Sequence, residues 1–156
     1  MAKIPINLKE GKVKKESDII VGIDLGTTNS LVAYMEDGEP VAVRDQDGRS
    51  ALVPSIVAFT DEQKVIVGDT AKEKLLTNPQ NTIYSVKRLM GKSYKDLEGF
   101  EGYFGYKIID EDTESLVKVR VQDKFFTPIE LSAEILKELK RRIESALGET
   151  VSRAVI

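Results

Sequence analysis

The sequence predicts a mixed α/β domain: a β-meander first, a stretch of short strands, short helices and a loop next, then a long helix leading into a last strand. Three observations carry that expectation. Ile19-Ile20-Val21-Gly22-Ile23 and Ser30–Met35 are short β-rich apolar runs joined by a tight polar turn, and Glu36-Asp37-Gly38-Glu39 turns the chain into Pro40–Arg44. Apolar runs separated by turn residues read as antiparallel strands, not as a strand–helix–strand unit. Helical spacing begins only at Asp69, and Thr127-Pro128-Ile129-Glu130 opens the clearest helix, which is followed directly by the apolar stretch Val151–Ile156.

Each later element has its own local reason. Asp47-Gly48 marks a turn, and Ser55–Thr60 and Val65–Val67 are strand-like runs on either side of the polar Asp61-Glu62-Gln63. From Asp69, Ala71, Leu75 and Leu76 share one helical face until Asn78-Pro79 stops the pattern, because proline cannot continue a helix interior. Asn81 or Thr82 is placed to cap a second short helix with Ile83, Val86 and Met90 inward and Gly91 at its end. Residues 92–106 are rich in glycine and aromatics and read as an ordered loop; Lys107–Ile109, Leu116–Val121 and Lys124–Phe126 then form a small antiparallel set. Thr127 and Glu130 make a capping box with Pro128 at the first helical position. Ile129, Leu136, Leu139, Ile143 and Leu147 form the expected apolar stripe, and Gly148 stands where a left-handed terminator belongs. The chain stops inside an apolar strand, which reads as a piece of something longer.

Composition narrows the chemistry. Apolar residues make up 41% and charged residues 31%, the balance of a globular domain. The net charge of −3 offers no basic surplus, so nucleic acid is not the expected partner. Cysteine and histidine are both absent, which removes disulfides, thiolate and imidazole metal sites and Ser-His-Asp triads. Reactions must run on carboxylates, ammonium and guanidinium groups, hydroxyls, backbone amides and an oxygen-bound metal. No run approaches the roughly 20 apolar residues that span a membrane, so no membrane role is expected. Residues 1–18 carry five lysines without a following apolar segment, so they do not read as a signal peptide. They are expected to be a flexible N-terminal arm, and the protein to be cytoplasmic.

The chemistry is concentrated in Ile23-Asp24-Leu25-Gly26-Thr27-Thr28-Asn29-Ser30. Gly26 lets backbone approach a ligand closely, the amides of Thr27 and Thr28 can form an anion nest, and their hydroxyls add phosphate donors. Asp24, at a strand end, is placed to hold the water shell of Mg²⁺. An ordinary hairpin turn is the plainer alternative for a bare Gly-Thr-Thr, but not for the whole string. No G-x-x-x-x-G-K-[ST] P-loop occurs, and Gly99, Gly102 and Gly105 do not make a dinucleotide fingerprint.

That string resembles the first phosphate motif of the DnaK-type heat-shock chaperones, within the actin–sugar kinase superfamily. Further matches follow in order: Val53-Pro54-Ser55-Ile56-Val57, Asn78-Pro79-Gln80-Asn81-Thr82, Val86-Lys87-Arg88-Leu89-Met90-Gly91, Leu131–Leu136 and Ala154-Val155-Ile156. The resemblance implies a partial actin-like ATPase (ribonuclease H-like) first lobe, with a mixed β-sheet at residues 19–54 and 127–156 and an inserted α+β subdomain at 55–126. It implies that Gly26, Thr27, Thr28 and Asn29 contact the phosphates of ATP or ADP, that Asp24 faces Mg²⁺ through water, and that Lys87 is the catalytic lysine. A point charge there would stabilise charge developing on the γ-phosphate and attacking water. Arg88 is assigned a structural or interdomain place.

The N-terminal arm, Ser30-Leu31-Val32-Ala33, Gly48-Arg49 leading to Val53-Pro54-Ser55, and Ser85–Ser93 resemble the HscA branch, dedicated to iron–sulfur cluster assembly. The implied partners are a client polypeptide, a J-domain co-chaperone and an iron–sulfur scaffold protein. The alternatives are a general protein-folding DnaK chaperone, a sugar or carboxylate kinase of the same superfamily, and a stand-alone interaction module. The segment alone is expected to bind nucleotide weakly, to turn over none, and to self-associate through an open sheet edge.

Overall fold

The computed structural model describes residues 6–7, 12–13, 19–45, 47–109 and 116–156. The expected flexible arm falls largely outside them. Within it, β1 (Ile6–Asn7) and β2 (Lys12–Val13) are described, an antiparallel pair with Ile6 opposite Val13.

The meander is present. β3 (Ile20–Asp24) pairs antiparallel with β4 (Asn29–Glu36), and β4 with β5 (Glu39–Ala42). Asp37, at φ 50°, and Gly38, at φ 88°, make the second turn, where the Asp-Gly pair supplies the left-handed backbone that a tight hairpin needs. β6 (Val53–Pro54) crosses back onto the start of β4, and β13 (Arg153–Val155) lies parallel to β3, giving the sheet order β13-β3-β4-β5. β4 is therefore the hub of the sheet, bonded to three strands.

A second sheet, β8-β7-β9, follows from β7 (Ile56–Phe59), β8 (Val65–Val67) and β9 (Thr82–Tyr84); β10 (Lys107–Ile109), β11 (Lys118–Val121) and β12 (Lys124–Phe126) form a third. All four residues of β7 are buried, which suits a continuous Ile-Val-Ala-Phe run covered on both faces.

Three local expectations are corrected. The capped helix expected after Asn81 is strand β9: Thr82 and Ile83 pair with Ala58 and Val57, and both are fully buried. Two β-branched residues beside a strand that needs a partner favour the ladder, and Ser85, left-handed at φ 57°, then starts a 3₁₀ turn over Val86–Leu89. Asn81 does not cap a helix; its amide donates to Asn78 Oδ1 at 3.0 Å and its carbonyl accepts from the Gln122 N–H at 3.2 Å.

The helix from Asp69 is short, α1 (Asp69–Lys72), and tightens into a 3₁₀ turn over Glu73–Leu75. Ala71 is fully buried, but Leu76 is 94% exposed rather than inward, because the tighter winding carries it off the buried face.

The long helix α2 (Pro128–Leu147) keeps its capping box: the Glu130 N–H donates to Thr127 Oγ1 at 3.2 Å and the Thr127 N–H to Glu130 Oε2 at 2.8 Å. It ends at Gly148, φ 68°, whose N–H donates to the Glu144 carbonyl. The buried stripe, however, is Leu131, Ile135, Leu139 and Ile143, while Ile129 is 69% exposed. Ile129 stands about 200° around the helix from Leu131, so the two cannot share a face. Each of the four buried side chains contributes about 2 kcal/mol of apolar burial. They meet Val21, Val32, Val53, Val57, Val86 and Leu89 in one continuous core beneath the first turn of the meander.

Candidate functional site

The turn between β3 and β4 spans Leu25–Thr28 and is held from below by two buried serines. The Gly26 N–H donates to Ser30 Oγ at 3.2 Å, and Ser55 Oγ donates to the Gly26 carbonyl at 2.9 Å. The two hydroxyls lie 2.9 Å apart, and the Ser55 N–H donates to the Thr28 carbonyl at 2.8 Å. Ser30 is 1% and Ser55 2% exposed, so these bonds are made out of water, where an unmade one is costly. Ser55 is delivered by the short link between β6 and β7, twenty-five residues after Ser30.

Gly26 is required for space rather than for an unusual φ. A Cβ built on it would stand 2.1 Å from the Asn29 carbonyl oxygen, far inside contact distance. The turn is therefore folded tightly on itself, with the Gly26 backbone pressed against Asn29. Thr27 is half-buried, while Asp24, Thr28 and Asn29 are exposed, so the polar groups of the string face outward over a rigid base.

Lys87 reaches this turn from 62 residues away. Val86 and Leu89 of the 3₁₀ turn are buried and anchor it against α2, which leaves Lys87 outside with its Nζ donating to the Leu25 carbonyl at 2.8 Å. An ammonium has three donors, so one bond to Leu25 leaves two for a ligand. Arg88, next in sequence, is also exposed. Among the described residues no group of three or more Asp or Glu could hold a metal by itself. A cation at Asp24 would thus need phosphate and water for the rest of its shell.

A model of the family described as Hsp70 protein matches residues 20–156, from the first residue of β3 through the turn, Lys87, α2 and β13. The chain belongs to the Hsp70 family. Hsp70 domains have the actin-like ATPase fold, and the mixed α/β sheets here are part of that architecture. The family sets aside the sugar-kinase alternative: this is a nucleotide-binding segment of a chaperone ATPase. Hsp70 domains bind ATP or ADP, generally with Mg²⁺, and Hsp70 proteins work on client polypeptides with co-chaperones. The chemistry of the turn fits such a ligand: it has a close-packed glycine, a half-buried Thr27 and an exposed Thr28, and the Lys87 ammonium is bonded to its Leu25 carbonyl.

The serine clamp is what sequence reasoning missed. Ser30 and Ser55 both lie inside matched motifs, and Ser55 follows a proline at a strand end, but nothing local indicates that their hydroxyls meet under Gly26.

Away from the turn, the densest ion-pair group among the described residues lies on α2. Glu138 accepts from Arg141 Nε and Nη2 at 2.8 Å each and from Arg142 Nε at 3.3 Å. Burial alone would push the Glu138 carboxyl up; the two guanidiniums overcome that and hold it below the usual carboxylate range. Arg142 Nη1 is buried and has no hydrogen-bond partner among the described residues. These residues line an open cleft of about 840 Å³ that also includes Arg44, Asp45 and Asp69. Among the described residues no helix is long and apolar enough to cross a membrane.

Proposed function

We propose that this chain supplies the phosphate end of the ATP site in an Hsp70 chaperone of the HscA branch, serving iron–sulfur protein maturation in the cytoplasm. The observation that carries the nucleotide assignment is the Lys87 ammonium seated 2.8 Å from the Leu25 carbonyl, on the rim of the Gly26-Thr27-Thr28 turn. In this reading the Thr27 and Thr28 amides and hydroxyls and Asn29 take the phosphate oxygens. Asp24 orients water around Mg²⁺, and Lys87 offsets the charge that builds on the γ-phosphate and the attacking water. Mg²⁺, held through water at Asp24, would supply charge neutralisation at the phosphates; the chain's own part is to hold the phosphates still on a dry, clamped base. Residues 19–54 and 127–156 form the core subdomain and 55–126 the inserted one.

Phosphorus NMR of Mg-ATP titrated with the chain tests the site. Shifts of the β- and γ-resonances that vanish in Thr27→Ala/Thr28→Ala and weaken in Lys87→Ala are expected, with the fold of both variants intact by circular dichroism. Resonances that ignore the wild-type chain, or respond equally to the variants, would refute it.

The branch rests on Ser30–Ala33, Gly48-Arg49 and Ser85–Ser93. In the full chaperone that carries this segment, ATP turnover should rise with an iron–sulfur scaffold protein and a J-domain partner together. Equal stimulation by any unfolded polypeptide would favour the general protein-folding reading instead.

A further inference from the structure

Independently of the nucleotide site, the insertion carries a preformed apolar cavity. It has a volume of about 400 Å³ and is walled mainly by Tyr94, Leu97, Phe100, Phe104, Tyr106 and Ile108. Four aromatic rings in one wall is a large share of the ten phenylalanines and tyrosines in the chain. None of the phosphate-turn residues touches it.

The wall is held in place by the backbone behind it. Tyr106 Oη donates to the Tyr84 carbonyl at 2.7 Å, Tyr84 Oη to the Tyr103 carbonyl at 2.9 Å, and the Gly105 N–H to Tyr84 Oη at 3.3 Å. Phe104 and Tyr106 pack at 5.2 Å between centroids, and Tyr106 meets Tyr84 edge-on at 5.5 Å. On the other side, Asp96 accepts from both the N–H and the hydroxyl of Ser93, which ties down the turn bearing Leu97. A pocket pinned on both sides does not have to be ordered when a ligand arrives, and preorganisation lowers the cost of binding.

Phe100 remains 54% exposed at the rim, and beside it Tyr103, 73% exposed, packs against its ring at 5.7 Å. Exposed aromatics over an apolar hollow are the residues that dominate binding energy when a partner covers them. The charge at the mouth then selects the partner. Among the described residues Lys107 is the one charged side chain in the lining, and it takes part in none of the ion pairs found among them. Gln80 is the one amide.

We infer that this cavity docks a partner polypeptide segment that presents one large apolar side chain flanked by carboxylates. The apolar side chain fills the aromatic hollow and a carboxylate meets the Lys107 ammonium.

The protein contains no tryptophan, so a tryptophan probe reports on itself. The probe is the capped peptide acetyl-Gly-Asp-Trp-Asp-Gly-amide, excited where tyrosine does not absorb and titrated with the chain at low salt. A saturable blue shift of its emission is expected. Lys107→Glu should weaken binding about fivefold, the size of an exposed charge contact. Phe100→Ala should weaken it roughly threefold to tenfold, the worth of one aromatic contact. Both positions are exposed, and unchanged urea unfolding of the variants keeps the comparison clean. A second peptide with lysines in place of the aspartates should bind about fivefold more weakly than the acidic one. Absence of a shift at millimolar protein, equal binding of the acidic and basic peptides, or binding indifferent to both substitutions would each overturn the inference. Mg-ATP binding is measured on the same variants; it should be unaltered, so failure of this pocket and failure of the phosphate site are read separately.

Discussion

Replacing Gly26 and Gly22 by alanine applies one chemical change at two places four residues apart and separates steric demand from glycine entropy. At Gly26 the new Cβ would sit 2.1 Å from the Asn29 carbonyl oxygen, whereas real Cβ contacts are essentially never shorter than 3.0 Å. The turn must open by nearly an ångström. The Gly26 N–H and carbonyl are both held by the buried Ser30–Ser55 clamp, so opening the turn strains or breaks those bonds. Overpacking of this kind costs about 1–3 kcal/mol. At Gly22, in the middle of β3, nothing lies within 4 Å of the new Cβ and φ is not left-handed. There alanine should stabilise by about 0.4–1 kcal/mol, because it narrows the unfolded ensemble. Urea unfolding followed by far-ultraviolet circular dichroism should therefore place Gly26→Ala about 1.4–4 kcal/mol below Gly22→Ala. The Mg-ATP phosphorus shifts should be lost in Gly26→Ala alone. If the two variants unfold within about 0.5 kcal/mol of each other, the turn is not the close-packed unit described above.

Ser55→Ala removes the hydroxyl that reaches Gly26 and Ser30 and takes its donor from the Gly26 carbonyl beneath the turn; a loss of about 1–3 kcal/mol is expected by urea unfolding, with a weaker Mg-ATP response. Thr127→Ala deletes the N-cap of α2 and should cost about 1 kcal/mol, read as a lower Tm, with little effect on nucleotide. Glu138 has a folded-state pKa held below its unfolded value, so its contribution to stability is present above the unfolded pKa and is lost as pH falls through the folded one. Acid titration of the unfolding midpoint should show that loss at the low end of the carboxylate range, and Glu138→Gln should reduce it; an unchanged acid limb would remove Glu138 from the account. β13 is the first strand in the sheet order among the described residues, and Val155 and Ile156 are exposed on it and just after it, so light scattering should rise with concentration, and a constant monomer mass would refute association through that apolar end.

Much of this was legible in the chain. The meander, the capping box at Thr127, the Gly148 terminator and the small antiparallel set after Lys107 depend on neighbours within a few residues, and they stand where local rules put them. The turn proposed to hold phosphate stands out for the same reason, since Asp24–Ser30 is continuous. Lys87 is singled out only through its Val-Lys-Arg-Leu-Met-Gly surroundings, because a lone lysine carries no signal of its own. What local rules missed depends on partners far along the chain. Thr82 and Ile83 form a strand because β7 offers an edge, and Leu76 and Ile129 point outward because the winding of α1 and the seat of α2 turn them there.

By itself, then, the sequence determined the strands of the meander, where α2 starts and stops, the family, and the run of residues proposed to hold phosphate. These are set by hydrophobic period, capping chemistry and turn residues, all of which act over a few positions. Only the tertiary structure decided that Ser55 would close under Gly26, that Lys87 would cross 62 residues to Leu25, and that four aromatic rings would wall one cavity. Such contacts are chosen by which faces the core brings together, and that choice is made by the whole chain at once.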